Sequence, residues 1–197
     1  RDSNGLGGRG VAPRASLVGY NALANDQDSE VLDALVRDQG KNHIYNNSWG
    51  AEDDGHFNTP ASRSAQVGTI LNGLRNGRNG LGSIYTFAGG NGGANGDYSV
   101  LDGNVSMLGV IPVCGTNAAG KRAPYSEPGP NLIVCAPSSD MGQAKGSSLP
   151  DVTTTTLQNQ YTAKFNGTSA ATPMISGVIA LMLQANPNLT WRDVPLI

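Results

Sequence analysis

The chain has 197 residues, 38% apolar and 14% charged, which suffices for one domain with a substantial core and is unlike a disordered segment. A formal charge of -2 excludes a basic nucleic-acid footprint, and 27 glycines forecast many tight turns. The longest apolar run, Val178–Leu183, is far short of the ~20 residues that cross a bilayer, and the N-terminal "RDSNGLGGRG" has no h-region. The segment therefore reads as soluble, with any signal peptide expected outside it.

In chain order, "RASLVGYNAL" reads as a buried strand, "SEVLDALVRDQG" as an amphipathic helix closed by Gly40, and "HIYNNSWG" as a second strand ending in a polar turn. "SRSAQVGTILNGLRNG" predicts a helix, with Val67, Ile70, Leu71 and Leu74 at helical spacing and Gly77 beyond its end. "GSIYTFAGGNGG", "LGVIPVCGT" and "NLIVCAPSS" follow as short strands, apolar throughout and each running into Gly, Asn, Ser or Pro. A long apolar helix follows Ser169. Strands without polar alternation, separated by helices, imply an α/β fold: a parallel sheet with helices on both faces. Ligands of such sheets bind beyond the carboxyl ends of the strands, where "NNSWGAEDDG", "AGGNGGANGD" and "CAPSSD" fall. Thr190 and Asp193 form a capping-box variant at the start of a last helix. Cys114 and Cys135 sit in apolar runs without metal-type spacing; a disulfide and a pair of buried thiols both fit.

The stretch "FNGTSAATP", Phe165 to Pro173, sets Ser169 at the mouth of the apolar helix "MISGVIALMLQAN". A serine there is either an N-cap or a nucleophile, since a helix N-terminus and its backbone N–H groups favour developing negative charge. Gly167 admits a substrate backbone, Ala170 and Ala171 leave room beside the hydroxyl, and Pro173 suits an early helical position. The stretch is not G-x-S-x-G, which excludes the nucleophile elbow of the α/β-hydrolases.

"NGTSAATP" before an apolar helix resembles the serine motif of the subtilisin-like (subtilase) proteases, and Asn91 in "FAGGNGG" matches their oxyanion-hole asparagine. "NNSWGAEDDG", "GLGSIYTFAGGNGGANGD", "APYSE" and "QANPNLTWRDV" resemble the kexin/furin-type proprotein convertase branch across nearly the whole chain. The resemblance implies a serine endopeptidase, secreted or luminal, that cleaves after Lys or Arg through an acyl-enzyme on Ser169. It implies that Ser48, Trp49 and Gly50 pair with substrate backbone, and that Asp53, Ala88 and Asp102 line the pocket for the basic side chain. Structural Ca²⁺ is implied at Asp53, Asp97 and Glu127, and at a second loop "NGLGG" through Asn4, Leu6 and Gly8. Where the branch carries a further acid after "EDDG", this chain has "HFNTP" with Asn58, so demand for a second, more distant basic residue should be weaker.

His43 and His56 both lack the H-G-T context of the family's general base, so both read as structural or solvated. The resemblance places the catalytic Asp and His segments upstream of Arg1 and a P domain after Ile197. The chain accordingly reads as a partial catalytic domain, incomplete at both ends and inactive alone. Its implied partners are peptide or protein substrates with a basic residue before the scissile bond, and a propeptide, chaperone or P domain outside this chain. The rival readings are a catalytically inactive scaffold that binds basic peptides or calcium, and a subtilase of broad specificity whose acids serve calcium only.

Overall fold

The computed structural model describes residues 5, 7–24, 27–56, 63–140 and 149–197. In chain order these form α1 (Asp28–Ala34), β1 (Ile44–Asn47), α2 (Arg63–Asn76), β2 (Ile84–Ala88), β3 (Val110–Thr116), β4 (Val134–Pro137), β5 (Val152–Thr155), β6 (Tyr161–Phe165) and α3 (Thr168–Ala185). Strands β1 to β4 make one parallel sheet in sequence order, with Asn47 opposite Phe87 and Ala88 opposite Val113.

Helices cover both faces, and the pleat explains how. On one face Tyr45, Tyr85 and Phe87 pack with Ile70 and Leu74 of α2; on the other, Ile84 and Ile111 pack with Ile179 and Leu183 of α3. Adjacent residues Ile84 and Tyr85 thus serve opposite cores, as successive strand side chains must. Two polar groups on β2 are paired between the layers: Thr86 Oγ1 lies 2.8 Å from Ser176 Oγ of α3, and the Tyr85 hydroxyl donates to the Leu35 carbonyl at 2.7 Å.

Helix α3 has 18 residues and a mean hydropathy of 1.3, which meets the length and polarity of a membrane-crossing helix although its longest all-apolar run is short. Its Gly, Ser and Thr residues are mild enough to leave the average apolar, and here it packs against all four parallel strands.

Three expectations are corrected. "RASLVGYNAL" forms no strand, and Leu17 is 93% exposed. A buried strand needs ladder partners, and this segment has none among the described residues; it is held instead through the Tyr20 hydroxyl, which donates to Asp38 and accepts from Asn42. Helix α1 stops at Ala34 rather than at Gly40, and a string of turns follows in which Asp38 takes the left-handed conformation at φ 57°. Thr190 and Asp193 do form the capping box, with the Thr190 N–H donating to Asp193 Oδ2 at 2.7 Å and the Asp193 N–H to Thr190 Oγ1 at 3.4 Å, but only a short 3-10 turn at Val194–Leu196 follows. Of the two readings left open for the cysteines, the structure has the disulfide: Cys114 and Cys135 are directly paired on β3 and β4 and joined, with Cys135 exposed.

The antiparallel β5–β6 hairpin was not anticipated. "VTTTT" lacks the apolar alternation of a half-buried strand, and the turn is marked by Gln158 and Asn159, both left-handed. The hairpin delivers the chain to Gly167 and α3.

Arg78 locks the far end of the domain. Its buried guanidinium donates to the carbonyls of Gly82, Leu189 and Pro187 at 3.2, 2.9 and 3.1 Å, fastening the segment after α3 to the turn after α2. Arg78→Met should lower the stability of the intact protein by about 2–3 kcal/mol in a denaturant melt, because buried carbonyls lose their donors. Arg78→Lys should recover only part of the loss, since one ammonium nitrogen cannot take the place of Nη1 and Nη2, which reach different carbonyls.

Candidate active site and cation cluster

Because the four strands are parallel, their carboxyl ends open on one edge, and α3 starts there. Ser48, Trp49 and Gly50 follow β1, Ala88 ends β2 and Asn91 follows it, and Glu127 lies between β3 and β4. The Trp49 ring meets Phe87 edge-on at 5.3 Å, while Ala88 is buried.

Ser169 is the second residue of α3 and is not its cap. The N-cap is Gly167, with no side-chain capping bond, at φ 80° and ψ 167°, a conformation that disfavours any side chain. The Gly167 carbonyl accepts from Ser138 Oγ at 2.7 Å, and the Tyr125 hydroxyl donates to Ser138 Oγ at 2.6 Å. The start of α3 is thereby fixed from below.

Two reciprocal bonds tie Ser169 to the segment after β1. Ser169 Oγ donates to the Ser48 carbonyl at 3.2 Å, and Ser48 Oγ donates to the Ser169 carbonyl at 3.1 Å. The second bond depends on Pro173, which lies in the second turn of α3 and has no N–H to give to the carbonyl four residues earlier. Ser48 fills that vacancy.

Asn91 is held by the residue before Ser169. Its Oδ1 accepts from the Thr168 N–H at 2.8 Å and from the Thr168 hydroxyl at 3.0 Å. A backbone N–H can only donate, so the oxygen must face Thr168, and the NH₂ has no partner among the described residues. Thr168 escaped sequence reasoning because its hydroxyl reads as one more polar residue of the motif; its adjacency to Ser169 was the available signal.

The acids converge on one cleft, walled by Glu52, Asp53, Asp97, Asp102 and Glu127 together with Tyr98 and Leu101. The Asp102 carboxylate accepts from the Asn104 N–H at 2.7 Å and the Ala51 N–H at 3.5 Å and lies against Gly50; burial raises its pKa. Glu127 packs on Gly90, where a β-carbon would come within 2.2 Å of its carboxylate. Burial pushes Glu127 up to about 7, with the charges of Asp97, Asp53 and Asp102 adding to the rise and the Gly92 N–H partly offsetting it.

Asp53, Asp97 and Glu127 each bring a carboxylate oxygen within 4.8 Å of the others, and Asp97 Oδ2 is buried without a hydrogen-bond partner. Hard oxygens from separate loops, one of them orphaned, fit a hard divalent cation. Asn4, Leu6 and Asn58 lie outside the described residues; Gly8 is exposed in an irregular segment. His43 is exposed just before β1, and His56 is exposed beside Asp54 at the cleft rim.

Comparison with known proteins gives a consistent picture. The chain is 38% identical over 198 residues to Furin-1 of Xenopus laevis, covering 98% of this chain and 24% of that protein. It is 39% identical over 192 residues to the dibasic-processing endoprotease of Schizosaccharomyces pombe, covering 97% and 26%. The chain therefore spans about a quarter of the length of these relatives. Among solved structures, the serine protease of Aeromonas sobria superposes with a TM-score of 0.77 at 25% identity, over 94% of this chain and 39% of that one. The profile of the subtilase family matches residues 1–195, and the chain belongs to that family.

Proposed function

We propose that this chain is the nucleophile-bearing part of a serine endopeptidase that cleaves peptide bonds after basic residues. The observation that carries the reading is the pair of hydrogen bonds from Thr168 to Asn91 Oδ1, which leaves the amide NH₂ without a partner among the described residues, beside the nucleophile's helix turn. Ser169 attacks the scissile carbonyl once a base has taken its proton. The Asn91 NH₂ and the Ser169 N–H bind the oxyanion. Neither His43 nor His56 hydrogen-bonds Ser169 among the described residues, so the reading draws its general base from outside these 197 residues.

Substrate backbone is read by Ser48, Trp49 and Gly50 as an added strand. The basic side chain enters the acidic cleft and meets Asp102, buried and supported by two backbone N–H groups. Asp53, Asp97 and Glu127 would hold Ca²⁺, whose charge would offset their mutual repulsion. A second calcium at Asn4, Leu6 and Gly8 rests on the sequence resemblance alone. A secretory or extracellular setting suits both the cation and the disulfide.

A fluorophosphonate probe should label Ser169 in the intact protein, and absence of an adduct there would end the protease reading. Asn91→Ala should lower kcat by roughly 10²–10³ with little change in KM. Asp102→Asn should lower kcat/KM for an Arg substrate on the order of 10²-fold while sparing a Leu substrate, because it removes the charge that faces the cation; equal losses refute the basic pocket.

Chelation of calcium should lower Tm, with a pH signature. The unfolded chain releases the Glu127 proton near 4.5 and the folded, cation-free chain holds it to about 7. The folded state then binds more protons across that window, so its stability falls as pH rises through it. Calcium should abolish this slope in melts from pH 4.5 to 7.5, and unchanged melts with and without chelator would count against the cation.

A further inference from the structure

The contact between Ser48 and Ser169 is the last link of a longer run of polar side chains. Asn46 Nδ2 donates to Ser48 Oγ at 3.0 Å, Asn46 Oδ1 accepts from Ser176 Oγ at 2.9 Å, and Ser176 Oγ lies 2.8 Å from Thr86 Oγ1. The run therefore leads from β2 through the middle of α3 and the edge strand β1 back to the first turn of α3, where Ser169 stands. Side chains two apart on a strand share a face, and Ile44 already packs with Ile179 of α3, so Asn46 and Ser48 fall on the face that α3 covers.

The direction of every bond is fixed from one end. The Ser169 carbonyl can only accept, so the single proton of Ser48 Oγ goes to it, at 3.1 Å. Ser48 Oγ must then accept from Asn46, which turns the NH₂ of that carboxamide toward Ser48 and its oxygen toward Ser176. Ser176 in turn donates to Asn46, and Thr86 donates to Ser176. The Thr172 carbonyl also lies 3.2 Å from Ser176 Oγ, but an α-helix already supplies that carbonyl with the N–H four residues on. Thr86, where the run begins, is fully buried, whereas Asn46 is exposed at the sheet edge. Position 46 thus has to donate at one end and accept at the other. An aspartate there could only accept, and a leucine could do neither.

Ser48 holds Ser169 twice, since its own carbonyl accepts from Ser169 Oγ at 3.2 Å. Whatever orients Ser48 therefore orients both the backbone and the hydroxyl of Ser169. Resting on the reading of Ser169 as nucleophile, we propose that Asn46 is a positioning residue for the reaction: by donating to Ser48 Oγ it commits the Ser48 proton to the Ser169 carbonyl. The helix turn that carries the nucleophile is thereby aligned with the strand end that receives substrate. Asn46 acts only through Ser48.

The test uses the intact protease and Asn46→Asp, which keeps the size of the side chain and the acceptor for Ser176 but sets a carboxylate against Ser48 Oγ. The Ser48 proton then turns to the carboxylate, and the Ser169 carbonyl loses its donor. kcat and the rate of fluorophosphonate labelling at Ser169 should fall together by about tenfold, with KM changed by less than about twofold, as expected when a nucleophile loses its alignment. Asn46→Ala leaves the Ser48 proton where it is and should fall between Asn46→Asp and wild type. In protein with a ¹³C-labelled Ser169 carbonyl, that resonance should move upfield in Asn46→Asp. The added negative charge is controlled by Ser48→Ala: on that background Asn46→Asp should cause no further loss, because the link is already cut.

Equal kcat in Asn46→Asp and wild type, the same loss on the Ser48→Ala background, or an unmoved Ser169 carbonyl resonance would each overturn the proposal. A lower Tm with an unchanged labelling rate would also overturn it and leave Asn46 a part of the scaffold only. Failure of the underlying protease reading is separately visible: wild type would form no fluorophosphonate adduct at Ser169, and this inference would fall with it.

Discussion

The contact between Asn91 and Thr168 is the constraint on which the rest of the site depends. It spans 77 residues of sequence and joins the turn after β2 to the first turn of α3, two segments that share no secondary structure. Each side needs its own support. Asn91 is held from behind by Asp53, and the start of α3 is held from below by Ser138 and Tyr125. Removal of any of these leaves the serine in its helix but loosens its neighbour, and tolerances of this kind decide catalytic power more than the presence of the residues does.

The sheet makes that contact affordable in steric terms. Parallel strands β1 and β2 end at the same level, so the segments leaving them run side by side, and α3 crosses the sheet with its N-terminus at that edge. Pro173 shows the same economy: a residue that breaks a helix bond in most settings here frees the Ser169 carbonyl for Ser48. The helix loses one internal bond and gains an anchor to the strand edge.

How much of this was legible in the sequence depended on the kind of interaction. The strands β1 to β4 and the helices α2 and α3 were readable because continuous apolar runs and helical spacing report burial directly, and Ile84 and Tyr85 show both cores drawn from one run. "RASLVGYNAL" misled because apolar content says a segment could be buried, not that a ladder partner is present. The β5–β6 hairpin was invisible because threonine repeats carry no facing pattern. Within the candidate site, motifs propose the side chains, whereas the bonds among them have no signature in the sequence. The Asp53–Asn91 bond runs to a backbone N–H, which every residue possesses and no sequence advertises.

The bridge between β3 and β4 has a bearing on where such a molecule can be made. Cys114 and Cys135 are 21 positions apart, and the ring they close contains Tyr125, which braces the entry to α3, and Glu127, the most deeply buried of the clustered acids. Closure of a loop of that size removes roughly 3 kcal/mol of freedom from the unfolded chain. Synthesis in a thiol-rich compartment would leave this ring open, and the two side chains on which both halves of the site lean would be tethered by hydrogen bonds alone. Maturation of the fold is thereby linked to an oxidising environment.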